Sequence, residues 1–196
     1  MPTKPKLSAD EILKAEFEYI VATATQASED RSKVASFYFV SVGSLIAAIF
    51  STQVLNSAAI SGEIYFAFTL LFVFLTTLGY LTIAQLARLR TAWMDSVKAM
   101  NQIKTYYIQH VGDGLKPAFL WTNDNAPKGY KKGSVANYLA YQVASLSGVI
   151  FSAAVLFFCL SLGLRTPYLL WVIPILPGIL MGRFQLGQYR KIVEKE

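Results

Sequence analysis

Charged and uncharged stretches alternate along this chain in long blocks. Four runs contain no Asp, Glu, Lys, Arg or His: Val34–Leu55, Ile64–Leu86, Ser134–Leu164 and Tyr168–Gly182. About twenty helical residues, rising about 1.5 Å each, cross the roughly 30 Å hydrocarbon core of a bilayer. The first run offers water nothing but Ser, Thr, Gly and Gln53, so it lacks the polar face of a soluble amphipathic helix. Lipid is the solvent this pattern predicts. The fourth run is shorter and holds Pro174, Pro177 and Gly178, which membrane helices tolerate.

The charged blocks are patterned too. After a basic lead, Met1–Lys6, expected to be disordered, Ser8 and Glu11 form a capping box that starts a helix near Ala9. Leu13, Phe17, Ile20, Ala24 and Ala27 then recur at alternating fours and threes, a heptad seam. No Pro or Gly intervenes before Gly43, which predicts one long helix, wet below Lys33 and lipid-embedded above it. The second run likewise continues without a breaker into Leu86, Leu89, Trp93, Met100, Ile103 and Tyr107, a second seam, stopping near Gly112 and Gly114. Asn56–Glu63 is a turn, so the two extensions face the same compartment. They are expected to pack as an antiparallel stalk, acidic residues on the first and basic ones on the second.

Gly112–Gly133 reads as a loop whose Trp121 and Tyr130, beside Lys128, Lys131 and Lys132, suit a lipid headgroup zone. Ser134 caps the third helix, and Gly163–Pro167 is a turn leading into the fourth. The expected fold is all-α: a single membrane domain over 1–196 with four transmembrane helices and a long cytoplasmic helical hairpin. Its parts are a cytoplasmic helix 8–33, spans 34–55 and 64–86, a cytoplasmic helix 87–111, a cytoplasmic loop 112–133, and spans 134–164 and 167–187.

Charge fixes the expected orientation. Of eighteen Lys and Arg, only Arg165 falls in the turns after the first and third runs; seventeen flank the other ends. By the positive-inside rule both termini and the stalk are cytoplasmic. The net charge of +6 is thus juxtamembrane charge, and nucleic acid is not an expected partner. A hydrophobic fraction of 54% also exceeds the roughly 45–50% of soluble domains. Cys159, the only cysteine, cannot form an intrachain disulfide. The first apolar run lies too far along and is too long for a cleavable leader, so an uncleaved chain is expected.

Candidate chemistry is sparse. Acidic and basic groups, which ion-coupled transporters need within lipid, are missing from the apolar runs. No Walker loop, GxSxG, HExxH or cysteine cluster occurs, and His110 alone cannot build a metal site. No enzyme activity, cofactor or metal is expected, and no lipid-handling nucleophile stands out. Small residues do stand out. Ala140, Ala144, Gly148 and Ser152 are spaced by four; Gly178 and Gly182 form GxxxG; Gly43 with Ala47, and Ser44 with Ala48, repeat the theme. Such faces let helices approach closely, within one bundle or between copies in a homo-oligomer. Glu29, Asp30 and Arg31 sit where the first helix meets the bilayer. They are either an interfacial cluster paired with Lys33, Arg88 or Arg90, or a gate ring above a pore lined by Ser36, Ser44 and Ser51, with Ser41 offset. Phe17, Ile20, Trp93, Met100 and Tyr107 are the candidate stalk contacts for a cytoplasmic protein partner.

The run Phe17-Glu18-Tyr19-Ile20, with Ala24, Ala27-Ser28-Glu29-Asp30-Arg31-Ser32, Phe37-Tyr38, Ser41 and Ser44, resembles the start of a SLATT domain. These are two-span bacterial membrane modules found beside nucleotide-second-messenger defence genes. An aromatic- and Ala-bearing cytoplasmic helix with an Arg before the membrane leads there into a Ser-rich first span. The resemblance covers about residues 10 to 110. It implies a pore-forming or membrane-perturbing effector switched by a partner, and no enzyme. The function expected is an oligomeric pore-like or membrane-perturbing effector controlled through its stalk. The alternative is a non-conducting scaffold or accessory subunit that anchors cytoplasmic partners or a larger membrane complex.

Overall fold

The computed structural model describes residues 8–51, 61–164 and 166–195. Over them the chain is all-α. Four helices, α1 (Ala9–Ser51), α2 (Gly62–Val111), α3 (Val135–Ser161) and α4 (Pro167–Glu194), are joined between α2 and α3 by short 3-10 turns at Asp113–Ala118 and Asn123–Asn125. The lead Met1–Lys6, the last residues of the first apolar run (Thr52–Leu55), most of the turn at Asn56–Glu63, and Arg165 lie outside the described residues.

Local chemistry sets the helix ends. The Ser8 amide donates to Glu11 Oε2 at 3.0 Å and the Glu11 amide to Ser8 Oγ at 3.2 Å, so the first turn of α1 satisfies two otherwise orphaned donors. α1 and α2 then run unbroken for 43 and 50 residues. α2 stops at Gly112, whose φ of 118° suits a residue without a Cβ. Ser134 Oγ accepts from the Asn137 amide at 3.3 Å to start α3. Pro167 opens α4, where its missing N–H is no loss.

The described chain divides into two compact units. Unit 1 joins the part of α1 up to Asp30 to Leu89–Gly129; unit 2 joins Arg31–Arg88 to the chain from Tyr130 onward. In both, burial follows a stripe of threes and fours. Along α1 it passes through Ile20, Ala24 and Ala27 in unit 1, then Arg31, Ala35, Tyr38 and Val42 in unit 2. The α1 seam expected from sequence is therefore buried in its upper part, with Leu13 and Phe17 half-buried.

The α2 seam differs from expectation by one residue. Leu86 is buried, but Leu89, Trp93, Met100, Ile103 and Tyr107 are only half-buried. The buried line in unit 1 is Arg90, Met94, Val97 and Asn101. Arg90 and Asn101 turn inward because the carbonyls of the following loop bind them there, which an apolar pattern does not register.

Stretches long and apolar enough to cross a membrane occur in α1, α2 and α3. Among the described residues α4 is not one of them, and its second half is polar. Unit 2 is apolar outside as well as inside: Phe37, Val40, Phe50, Leu70, Phe74, Val149, Leu176 and Leu180 are all exposed. Large apolar side chains exposed in this number suit a surface that lipid covers.

Candidate functional site

The small residues of α3 and α4 are used against each other. A Cβ on Gly148 would stand 2.6 Å from the Gly178 carbonyl oxygen, and one on Gly182 would stand 3.2 Å from the Ala144 carbonyl oxygen. A Cβ on Gly178 would collide with Ser152 and with the Gly148 carbonyl. Ala140 and Ala144 are fully buried, and Ser152 Oγ returns its hydrogen bond to Gly148 O at 3.2 Å. This is backbone-to-backbone packing of the kind that serves helices lacking a hydrophobic drive to associate.

The matching stripe on α1 has no such neighbour. Gly43 and Ala47 are exposed, and a Cβ on Gly43 would meet nothing within 4 Å. Ser36, Ser44 and Ser51 are exposed as well. At about 100° per residue, Ser36, Gly43, Ser44, Ala47 and Ser51 fall within an arc of about 100° on one side of α1. Ser51 Oγ donates to its own helix, at Ala48 O (2.8 Å), the usual way a hydroxyl is satisfied without water.

Inside unit 2 lies a polar cluster that the sequence pattern did not disclose. Gln185 Nε2 of α4 donates to Ser147 Oγ of α3 at 2.8 Å, and Ser147 Oγ donates to Thr76 O of α2 at 3.4 Å. All of Gln185 and Ser147 is buried. Gly79 of α2 makes the space: a Cβ there would lie 2.6 Å from Ser147 Oγ and 2.7 Å from the hydroxyl of Tyr38 on α1. Four helices thus meet at one polar point in an otherwise apolar core of Ala35, Val42, Ile83, Val143 and Ile150. Gln185 Oε1 has no hydrogen-bond partner among the described residues. The signal available in sequence was Gln185 itself, a polar residue one turn past the GxxxG.

Of the proposed gate residues, Glu29 is exposed, Asp30 half-buried and Arg31 buried. Burial pushes the Arg31 guanidinium below its ordinary pKa, opposed by the Tyr189 phenol, and Arg31 lies on the buried stripe of α1.

Unit 1 is organised by side chains of α2 gripping the loop. Arg90 Nε donates to Gly129 O (3.0 Å) and Nη2 to Lys128 O (3.2 Å), with the guanidinium 4.5 Å from the Trp93 ring centroid. Asn101 Nδ2 reaches Thr122 O (3.2 Å), Lys104 Nζ reaches Trp121 O (3.1 Å), and Asn123 reaches Thr105 Oγ1 (3.1 Å). Trp121 packs edge-on against Trp93, centroids 6.1 Å apart. The residues 112–133 therefore include a segment laid along α2, with Trp121 half-buried there. Of the candidate stalk contacts, Ile20 is inside unit 1, Phe17, Met100 and Tyr107 are half-buried, and Trp93 is half-buried against Trp121.

His110 Nδ1 lies 2.8 Å from Tyr106 O in the last turn of α2. Cys159 is a buried free thiol of α3. Among the described residues no three of His, Cys, Asp and Glu come together as metal ligands would. No protein-family model, curated protein or solved structure matches this chain.

Proposed function

We propose that this is a multi-pass bacterial inner-membrane protein, termini inward, that works as a homo-oligomer and perturbs or perforates the bilayer under control of unit 1. The observation that carries the reading is the α1 stripe. Ser36, Gly43, Ser44, Ala47 and Ser51 share one exposed side of a helix apolar enough to span a membrane. Small residues on a lipid-facing side invite a second helix, and hydroxyls there supply what polar lining a multi-chain pore needs. In this arrangement α4 completes a four-span bundle, with Arg183, Arg190 and Lys191 on the cytoplasmic side. The SLATT-like features of about residues 10 to 110 agree with an effector of this kind, switched by a cytoplasmic partner through unit 1.

The scaffold reading is favoured by a different observation. The core of unit 2 is filled where the four helices meet, with Tyr38, Ile83, Leu86, Ile150 and Gln185 fully buried, so a single chain offers no path through that point. Liposome flux measured on preparations of defined oligomeric state separates the two. The effector reading expects ion flux above that of protein-free vesicles, lost in Gly43→Leu and Ala47→Leu. Background flux from every oligomeric preparation would leave the scaffold.

A further inference from the structure

The close approach of α3 and α4 leaves a groove of about 560 Å³ along one side of their contact, within unit 2. Its floor is made of residues too small to fill it: Ala144, Gly148, Ser152, Gly178 and Gly182. Val149, Ile175 and Ile179 form its banks, and they are 66%, 54% and 52% exposed, so the groove opens away from the core. One end is polar. Arg183 and Tyr141 stand there with Ser145, all three exposed.

That these three share an end follows from the helix contact. Gly182 faces the Ala144 carbonyl and Gly178 faces that of Gly148, so α3 and α4 run antiparallel. Arg183 follows Gly182, and Tyr141 and Ser145 stand on either side of Ala144. From Tyr141 to Ser152 the groove follows α3 for about 16 Å at 1.5 Å per residue. That is one leaflet, half of the roughly 30 Å hydrocarbon core.

Arg183 is an available cation. Among the described residues it makes neither a hydrogen bond nor an ion pair. α3 carries no acidic residue, and Glu194, the one acid of α4, is about 16 Å further along the helix. Glu194 is itself bound to Arg190 at 2.8 Å. Glu63, in the first turn of α2, belongs to the opposite end of unit 2, where Gly62 meets the Ser161 carbonyl.

An apolar trough one leaflet long, with a guanidinium and two hydroxyls at one end, complements an amphiphile with a hydrocarbon tail and an anionic head. A guanidinium pairs with phosphate through two parallel N–H donors, and the Tyr141 and Ser145 hydroxyls can donate beside it. We infer that the groove between α3 and α4 binds one anionic phospholipid. Its phosphate sits at Arg183 and Tyr141, and one acyl chain lies over Gly148 and Gly178 between Val149 and Ile179. A helix from a second copy would leave the guanidinium without an anion, since the exposed small stripe of α1, Ser36 to Ser51, carries no acidic residue. The inference rests on unit 2 lying in the bilayer, as proposed above, and holds whether or not the protein conducts.

The test uses the purified full chain in detergent micelles doped with dioleoylphosphatidylglycerol or dioleoylphosphatidylcholine. Native mass spectrometry counts the retained lipid while thermal unfolding is followed in parallel. One phosphatidylglycerol per chain is retained at loadings where phosphatidylcholine is lost, and Tm rises only with the former. Arg183→Gln weakens retention about fivefold, the worth of one cation near a lipid surface; Arg183→Lys, which keeps the charge and loses the fork, weakens it less. Val149→Trp fills the trough and abolishes retention although Arg183 is intact. Its Tm in lipid-free micelles matches the parent's, because position 149 is exposed. Lys132→Gln, exposed elsewhere, changes nothing. Equal retention of both lipids, or Arg183→Gln and Val149→Trp variants that hold lipid as the parent does, overturns the site. So does a Val149→Trp variant that loses oligomeric mass while keeping its lipid, the mark of a second copy in the groove. A chain left in the aqueous supernatant after cell membranes are pelleted overturns the bilayer placement instead, and the site with it.

Discussion

The two units hold themselves together in different ways. Unit 2 brings backbones close: glycine meets glycine between α3 and α4, and Gly79 admits two hydroxyls from neighbouring helices. Unit 1 uses long polar side chains, Arg90, Asn101 and Lys104, to hold carbonyls of a loop that has few partners of its own. The difference follows the solvent. Where the exterior is apolar, close van der Waals approach is what remains to hold helices together. Where the exterior is charged, a loop without regular structure still needs its carbonyls bonded, and charge-assisted donors do so at a net gain.

This contrast breaks most readily at Gly148. Gly148→Leu drives a side chain into the Gly178 carbonyl, which belongs to backbone and cannot swing aside. A loss of about 3 kcal/mol or more is expected by analogy with overpacked cores, read as a large drop in Tm in detergent. Gly43→Leu on the unpartnered stripe of α1 should shift stability by no more than about 0.5 kcal/mol, while reducing the oligomer seen in native mass measurements. Equal losses in the two variants would erase the distinction between the stripes.

Unit 1 has a corresponding weak point. Arg90→Met should cost about 1.5–3 kcal/mol, the worth of hydrogen bonds from a charged group, and should speed tryptic cleavage at Lys128 as the loop detaches. Gly79→Ala in unit 2 comes next, at about 1–2 kcal/mol. Ser147 Oγ and the Tyr38 hydroxyl can rotate, but Ser147 Cβ, 2.8 Å from the new methyl, cannot.

The smallest effect belongs to the start of α1. Hydrogen bonds from the backbone and side chain of Ser8 hold the Glu11 carboxyl below its ordinary 4.5. A depressed carboxylate pKa stabilises the folded form above the unfolded value, and that contribution is lost as pH falls through the folded one. Amide protection over the first turn of α1, taken relative to the intrinsic exchange rate at each pH, should therefore fall below about pH 4.5. In Glu11→Gln that pH dependence should be absent.

Features written within a few residues were legible in the sequence. The Ser8–Glu11 box, the Ser134 cap, the stop at Gly112 and the unbroken length of α1 and α2 each depend on neighbours along the chain. The spacing of Ala140, Ala144, Gly148 and Ser152 was visible too, but not its use, because the partner face of α4 is brought there by the fold. The α2 seam was misplaced for a related reason. Arg90 and Asn101 look like surface residues until a loop some twenty to forty residues away supplies their acceptors. The Gln185–Ser147–Thr76 cluster joins residues 38 and 71 positions apart, a separation at which a pattern of apolar positions carries no information.

The burial of Cys159 has a practical side. Because the chain's only thiol is inside α3, a maleimide reagent finds no native target on the folded protein. A cysteine introduced at exposed Lys132 or Glu63 would then be the sole labelled atom, and sidedness in intact cells could be mapped without first removing anything.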